Sequence, residues 1–156
     1  EENWQIKHYK TIAANYKKAP HFVDYHYLLE EIYLKQKWNS LSEFNIFTTK
    51  LLAQALEINT HFVNSVNLTT AGTKDDKLIE ICQKLGADFY LSGPAAKDYI
   101  INKKFEAANI QLAYMNYGNY PQYKQLYGEF DHFVSILDVL FNCGTNSKNF
   151  IFTSNH

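Results

Sequence analysis

The sequence predicts an α/β fold: a Rossmann-like parallel sheet of three or more strands, flanked by helices and preceded by a helical segment. Two observations carry this reading. Residues 1–57 show helical periodicity only, whereas from residue 58 short β-rich runs alternate with helix-period stretches. That alternation is the order that builds parallel sheets through crossover helices. The 156 residues suit one domain with a sizeable core, so 1–156 reads as a single α/β domain.

The elements follow in order. "NWQIKHYKTIAANYKK" spaces Trp4, His8, Ile12 and Tyr16 four apart, one helical face. "APHFVDYHYLLEEIYLK" is a second helix, with Pro20 where a first turn tolerates it. "SLSEFNIFTTKLLAQALEI" opens with Ser40 and Glu43 at capping-box spacing and repeats Phe44, Phe47, Leu51 and Leu52 at a helix period. "HFVNSVNL" is the first expected strand. "TKDDKLIEICQKLG" is a helix with Thr73 as N-cap and Gly86 as its stop. "ADFYLSG" and "IQLAYMN" are the next strands, separated by the short helical pieces "PAAKDYI" and "NKKFEAAN". Tyr117 to Phe130, rich in Tyr, Gly and Gln, reads as a long surface loop. "HFVSILDVLFNCG" closes the pattern as a largely apolar helix ended by Gly144.

Composition narrows the partners. Formal net charge is −1, which gives no electrostatic reason to expect nucleic acid. All 15 basic residues are lysine, so no guanidinium fork is available for phosphate or carboxylate. Cys82 and Cys143 form no disulfide framework and read as inert thiols of a reducing cytoplasm. No apolar run reaches the roughly 18 residues of a membrane span. The chain begins at Glu1 without a methionine and so reads as a fragment or trimmed chain. His8, His21, His26 and His61 share no ligand spacing with Cys or acidic residues, so no metal is expected; the cofactor is unknown.

Three stretches could carry chemistry. In "YLSGPAAKDYI", Ser92-Gly93-Pro94 lies at the carboxyl end of a parallel strand, where ligands collect. Gly93 admits a close approach, and Lys97 in the first turn of the following helix would welcome an anion; the alternative is a solvated lysine beside Asp98. In the last helix Ser135, Asp138 and Asn142 fall on one polar stripe, with His132 just upstream. A buried Asp138 would need a hydrogen-bonding or charged partner; the alternative is a cap and a solvent strip. The loop "LTTAGTKDD" could donate hydroxyls and backbone N–H groups to a ligand, or simply cap a helix.

Three blocks, "WQIKHYKTIAANYKKAPHF", "KLIEICQKLGADFYLSGPAAKDYI" and "FDHFVSILDVLFNCG", together resemble the WbqC-like protein family. The resemblance covers nearly the whole chain and corresponds to the C-terminal two thirds of that family, with its N-terminal strand-and-loop section absent. It matches Ser92, Gly93, Lys97 and Tyr99, then Ser135, Asp138 and Asn142, to the family's signature. It implies a cytoplasmic transferase of bacterial surface polysaccharide (O-antigen) synthesis, with N-acyl or aminoacyl transfer onto a nucleotide-linked amino sugar as the leading reaction. On that reading His132 and Asp138 are catalytic, and Ser92, Gly93, Lys97, Tyr99, Ser135 and Asn142 bind the small-molecule substrate. A homo-oligomer is compatible with it. The alternative is a non-catalytic binding or assembly module that docks through aromatic helices bearing Trp4, Tyr16, Tyr25 and Tyr27.

Overall fold

The structure, a computed structural model, describes residues 3–118 and 120–152. The chain divides into two compact units: Glu1–Thr60 with Tyr120–His156, and His61–Asn119.

The first unit is helical. It contains α1 (Trp4–Tyr16), α2 (Phe22–Leu29), α3 (Leu41–Ala55) and, after the 120–135 segment, α6 (Ile136–Cys143) and α7 (Lys148–Ile151). Leu28, Leu29, Leu140 and Phe141 are fully enclosed, each contributing about 1.5–3 kcal/mol of burial. Tyr16 and Phe22 pack their rings on Phe141, both at 5.2 Å between centroids. Ser40 caps α3 by accepting from the Glu43 N–H, as its spacing predicts.

The second helix does not run on as the sequence suggests. It passes into a π-helical turn over Glu30–Leu34, closed by the Lys35 N–H donating to the Glu30 carbonyl at 2.9 Å. Gln5, buried in α1, donates to the Tyr33 and Gln36 carbonyls at 3.1 and 2.7 Å, and Trp38 Nε1 donates to Ile32 O at 2.6 Å. These side chains supply partners for carbonyls that a widened turn leaves without helical donors.

The second unit holds α4 (Lys74–Lys84), β1 (Phe89–Ser92), α5 (Asn102–Ala107) and β2 (Gln111–Tyr114). The strands are parallel, in register from Phe89 opposite Gln111 to Ser92 opposite Tyr114. Phe105, fully buried, stacks on Tyr90 at 5.6 Å and anchors a core with Cys82, Ala96, Ile100 and Ile110.

The expected Rossmann-like sheet of three or more strands is therefore wrong: among the described residues the sheet has two strands and the chain is mostly helical. The missing strand is "HFVNSVNL". Asn64 Oδ1 accepts from the Val66 N–H at 3.0 Å, which turns the backbone into a 3₁₀ turn over Ser65–Asn67. Val66 is 86% exposed, so its β propensity finds no pleated surface to pack on. None of the described helices is long and apolar enough to cross a membrane.

Candidate functional site

In the first unit the site is organised by one buried carboxylate. The segment Phe133–Ser135, expected to be helical, stays outside α6; Ser135 is the N-cap and accepts from the Leu137 N–H at 3.3 Å. Asp138 then falls in the first turn and is 6% exposed. Tyr16 donates its phenol to Oδ2 at 2.8 Å; Tyr123 and the Gln125 amide donate to Oδ1 at 2.6 and 3.1 Å. Three donors, none of them a cation, thus hold the carboxylate. Burial first, and the Asp138 carboxylate second, pushes the Tyr16 and Tyr123 phenols far above their ordinary range. The same carboxylate, after burial, raises the Cys143 thiol, which together with the buried Cys82 remains free.

The raised phenols set the sign of an alkaline effect. A phenol that prefers its neutral form in the fold stabilises the fold below the unfolded value of 10.0 and loses that contribution as pH rises beyond it. Ultraviolet phenolate titration is expected to show Tyr16 and Tyr123 resisting ionisation past pH 10.0 until the unit unfolds, along with Tyr25 and Tyr33, whose phenols burial also raises. Asp138→Asn should lower Tyr16 and Tyr123 and leave Tyr25 and Tyr33 in place. If all tyrosines ionise together near the free value, the network is not as described.

Beside this carboxylate lies a cavity of about 250 Å³ walled by aromatic rings. Tyr120, Tyr123, Phe130 and Phe150 form the walls, with His132 and Ser135 on the lining. Tyr123 packs edge-on against both Phe130 and Phe150 at 5.1 and 5.3 Å, and Phe130 against His132 at 4.6 Å. Tyr123 therefore has two roles: its ring lines the cavity while its hydroxyl is fixed by Asp138. Asn142 does not join them; its amide folds back on the Asp138 carbonyl at 2.8 Å.

The remaining residues singled out in the sequence lie in the second unit. Ser92 is buried at the end of β1, and its carbonyl accepts from the Met115 N–H at 2.8 Å. Pro94–Asp98 is a five-residue 3₁₀ turn, with Lys97 near its end. The macrodipole argument for an anion therefore falls away, because so short a turn carries little dipole. Lys97 instead places Nζ 5.3 Å over the Tyr114 ring, at the end of β2. Gly93 has an ordinary extended backbone (φ −69°), and a Cβ there would meet nothing within 4 Å. Tyr99 stands exposed. In the loop 69–73, Glu80 takes the Ala71 and Gly72 N–H groups, both at 2.9 Å, so those donors are already used.

Sequence reading puts Tyr16 on the face of α1 and in a docking surface, not beside Asp138, and singles out neither Tyr123 nor Gln125. The signal was an aspartate on an apolar helix, which demands donors, next to a loop dense in Tyr and Gln.

The WbqC-like protein family matches residues 1–150. An uncharacterized protein of Mycobacterium tuberculosis, Rv1507c, is 34% identical over 149 residues, covering 96% of this chain and 64% of its own length. The chain thus spans about 64% of the curated relative it matches. No solved structure matches the chain.

Proposed function

The chain belongs to the WbqC-like protein family, and from that premise we propose that it is a transferase of bacterial surface-polysaccharide synthesis acting on a nucleotide-linked sugar. The observation that carries the reading is the aromatic cavity with His132 and Ser135 on its lining. At about 250 Å³ it has room for one ring of such a ligand, below the usual ~300–1,000 Å³ of a site enclosing a whole small molecule. Tyr and Phe faces suit the stacking of a base or the apolar face of a hexose. His132 is the group that would move a proton to or from the bound ring, and Asp138 acts on it indirectly, by fixing Tyr123. Lys97 and Gly93, beside the buried Ser92 in the other unit, form a separate candidate contact surface. N-acyl or aminoacyl transfer onto a linked amino sugar is the leading reaction.

A thermal-shift panel of nucleotide sugars tests this. A ligand at 100 times its dissociation constant should stabilise the fold by about 2.7 kcal/mol, and Phe130→Ala or His132→Ala should abolish the shift. A panel without any stabilising nucleotide sugar would sink the proposal. Gly93→Ala refines it, because the added methyl has open space. The variant should match the parent in melting within about 0.5 kcal/mol, so any loss of ligand response marks a ligand lying against residue 93.

A docking module remains the second reading, on one observation. Trp4 is 44% exposed while packing edge-on against His8, Tyr33 and Phe44. Tyr16 and Tyr25 weaken it, since one is tied to Asp138 and the other buried. A stable oligomer broken by Trp4→Ala would favour this reading over catalysis.

A further inference from the structure

A second cavity in the first unit, of about 610 Å³, is lined by His21, Asp24, Tyr27, Gln54, Glu57 and Thr145 among others. Its size lies within the range of sites that hold a small molecule, ~300–1,000 Å³. The lining mixes these polar groups with Leu51 and Ala55, and its carboxylates are Asp24 and Glu57. Asp24 is 64% exposed, so its carboxylate faces solvent and the cavity, with His21 as its side-chain partner among the described residues, Nδ1 to Oδ2 at 3.0 Å. Glu57, at a left-handed φ of 53°, adds a second carboxylate, and Lys148 pairs with it. Burial pushes up the Tyr25 phenol on the cavity wall; Tyr27, Asp24 and Glu57 push the same way, and Lys148 opposes them.

The His21 ring is held in place rather than loosely attached. The His21 backbone N–H donates to the Phe141 carbonyl at 2.9 Å, which fixes the residue, and its ring lies so close to Gly144 that a Cβ there would sit 2.6 Å from Nδ1. With Asp24 on its edge and Gly144 against its face, the imidazole has a fixed orientation before any ligand arrives. Fixed donors and acceptors lose little freedom on binding. Tyr27, Gln54 and Thr145 add a phenol, an amide and a hydroxyl for neutral polar groups.

We propose that this cavity binds a small primary amine bearing hydroxyl groups, its ammonium seated on the Asp24 carboxylate beside His21 and its hydroxyls on Gln54 and Thr145. Two carboxylates in the lining disfavour phosphate and carboxylate ligands, and a neutral polyol can donate a hydroxyl to Asp24 but forgoes the ion pair. The inference uses a cavity separate from the aromatic one, so either can fail alone.

The test is an NMR titration of the full chain with glucosamine, with near-isosteric but neutral glucose, and with glucosamine 6-phosphate, which adds an anionic group. Saturable shifts at the Gln54 and Thr145 amides are expected with glucosamine. Glucose should bind about tenfold more weakly or worse, as loss of a hydrogen bond to a charged group implies, and the phosphate ester more weakly too. Asp24→Asn, at an exposed position, should keep the parent's melting temperature and lose about tenfold in glucosamine affinity. Equal affinity for glucose, absence of saturable shifts, or unchanged binding by Asp24→Asn each overturns the proposal.

Discussion

Asp138→Ala is expected to destabilise the unit formed by Glu1–Thr60 and Tyr120–His156 by about 3–5 kcal/mol, through the hydrogen bonds it leaves unmade. The carboxylate is the common acceptor of the Tyr16 phenol, the Tyr123 phenol and the Gln125 amide. Removing it orphans three donors in a part-buried setting, at about 1–3 kcal/mol for each that water fails to reach. Some rehydration keeps the total below the plain sum. Asp138→Asn preserves the shape but leaves one acceptor oxygen for two phenols, so a smaller loss is expected. Urea unfolding read by tryptophan fluorescence suits the measurement, because Trp4 and Trp38 both lie in this unit. A loss under about 1 kcal/mol for the alanine variant would mean that these bonds do not hold the segment 120–131 to α6.

Gly144→Ala should cost about 3 kcal/mol or more, from two sources that can be separated. Gly144 has φ 59° and ψ −133°, a backbone region hostile to any side chain. The added Cβ would also lie 2.6–2.7 Å from Nδ1, Cε1 and Cγ of His21, so the ring must shift. His21→Ala in the Gly144→Ala background removes the second source and leaves the first. A double-mutant cycle should therefore show a favourable coupling of about 0.5–3 kcal/mol. Additive losses would show that the clash is relieved elsewhere.

How much of this was legible depends on how far each cause lies along the chain. The caps at Ser40, Gly86 and Gly144 are local chemistry and stand where the sequence places them. The start of α6 was misjudged because Phe133 and Val134 look like core, yet Phe133 is 98% exposed and Ser135 opens the helix instead. The strand at 61–68 failed for a similar reason: a single asparagine bond outweighs a β-rich composition that has no neighbouring strand. Asp138 was legible as a residue in need of partners. Their identities were not, because Tyr16 lies 122 residues away and hydrophobic periodicity carries no such pairing. The carboxyl ends of the strands were legible too, but the kind of turn that follows them was not, and with it went the dipole argument for Lys97.

The division of the chain has a consequence for how the molecule forms. The second unit is one continuous stretch, His61–Asn119, inserted into a first unit made of two separated segments. During synthesis from the N-terminus, α1 to α3 emerge with their core incomplete, since Leu140 and Phe141 are still to be made. The inserted unit can close on itself while they wait, as domains generally fold in units on the ribosome. Closure of the first unit is therefore the late, high-contact-order step, and Tyr16 meeting Asp138 is a bond that marks its completion.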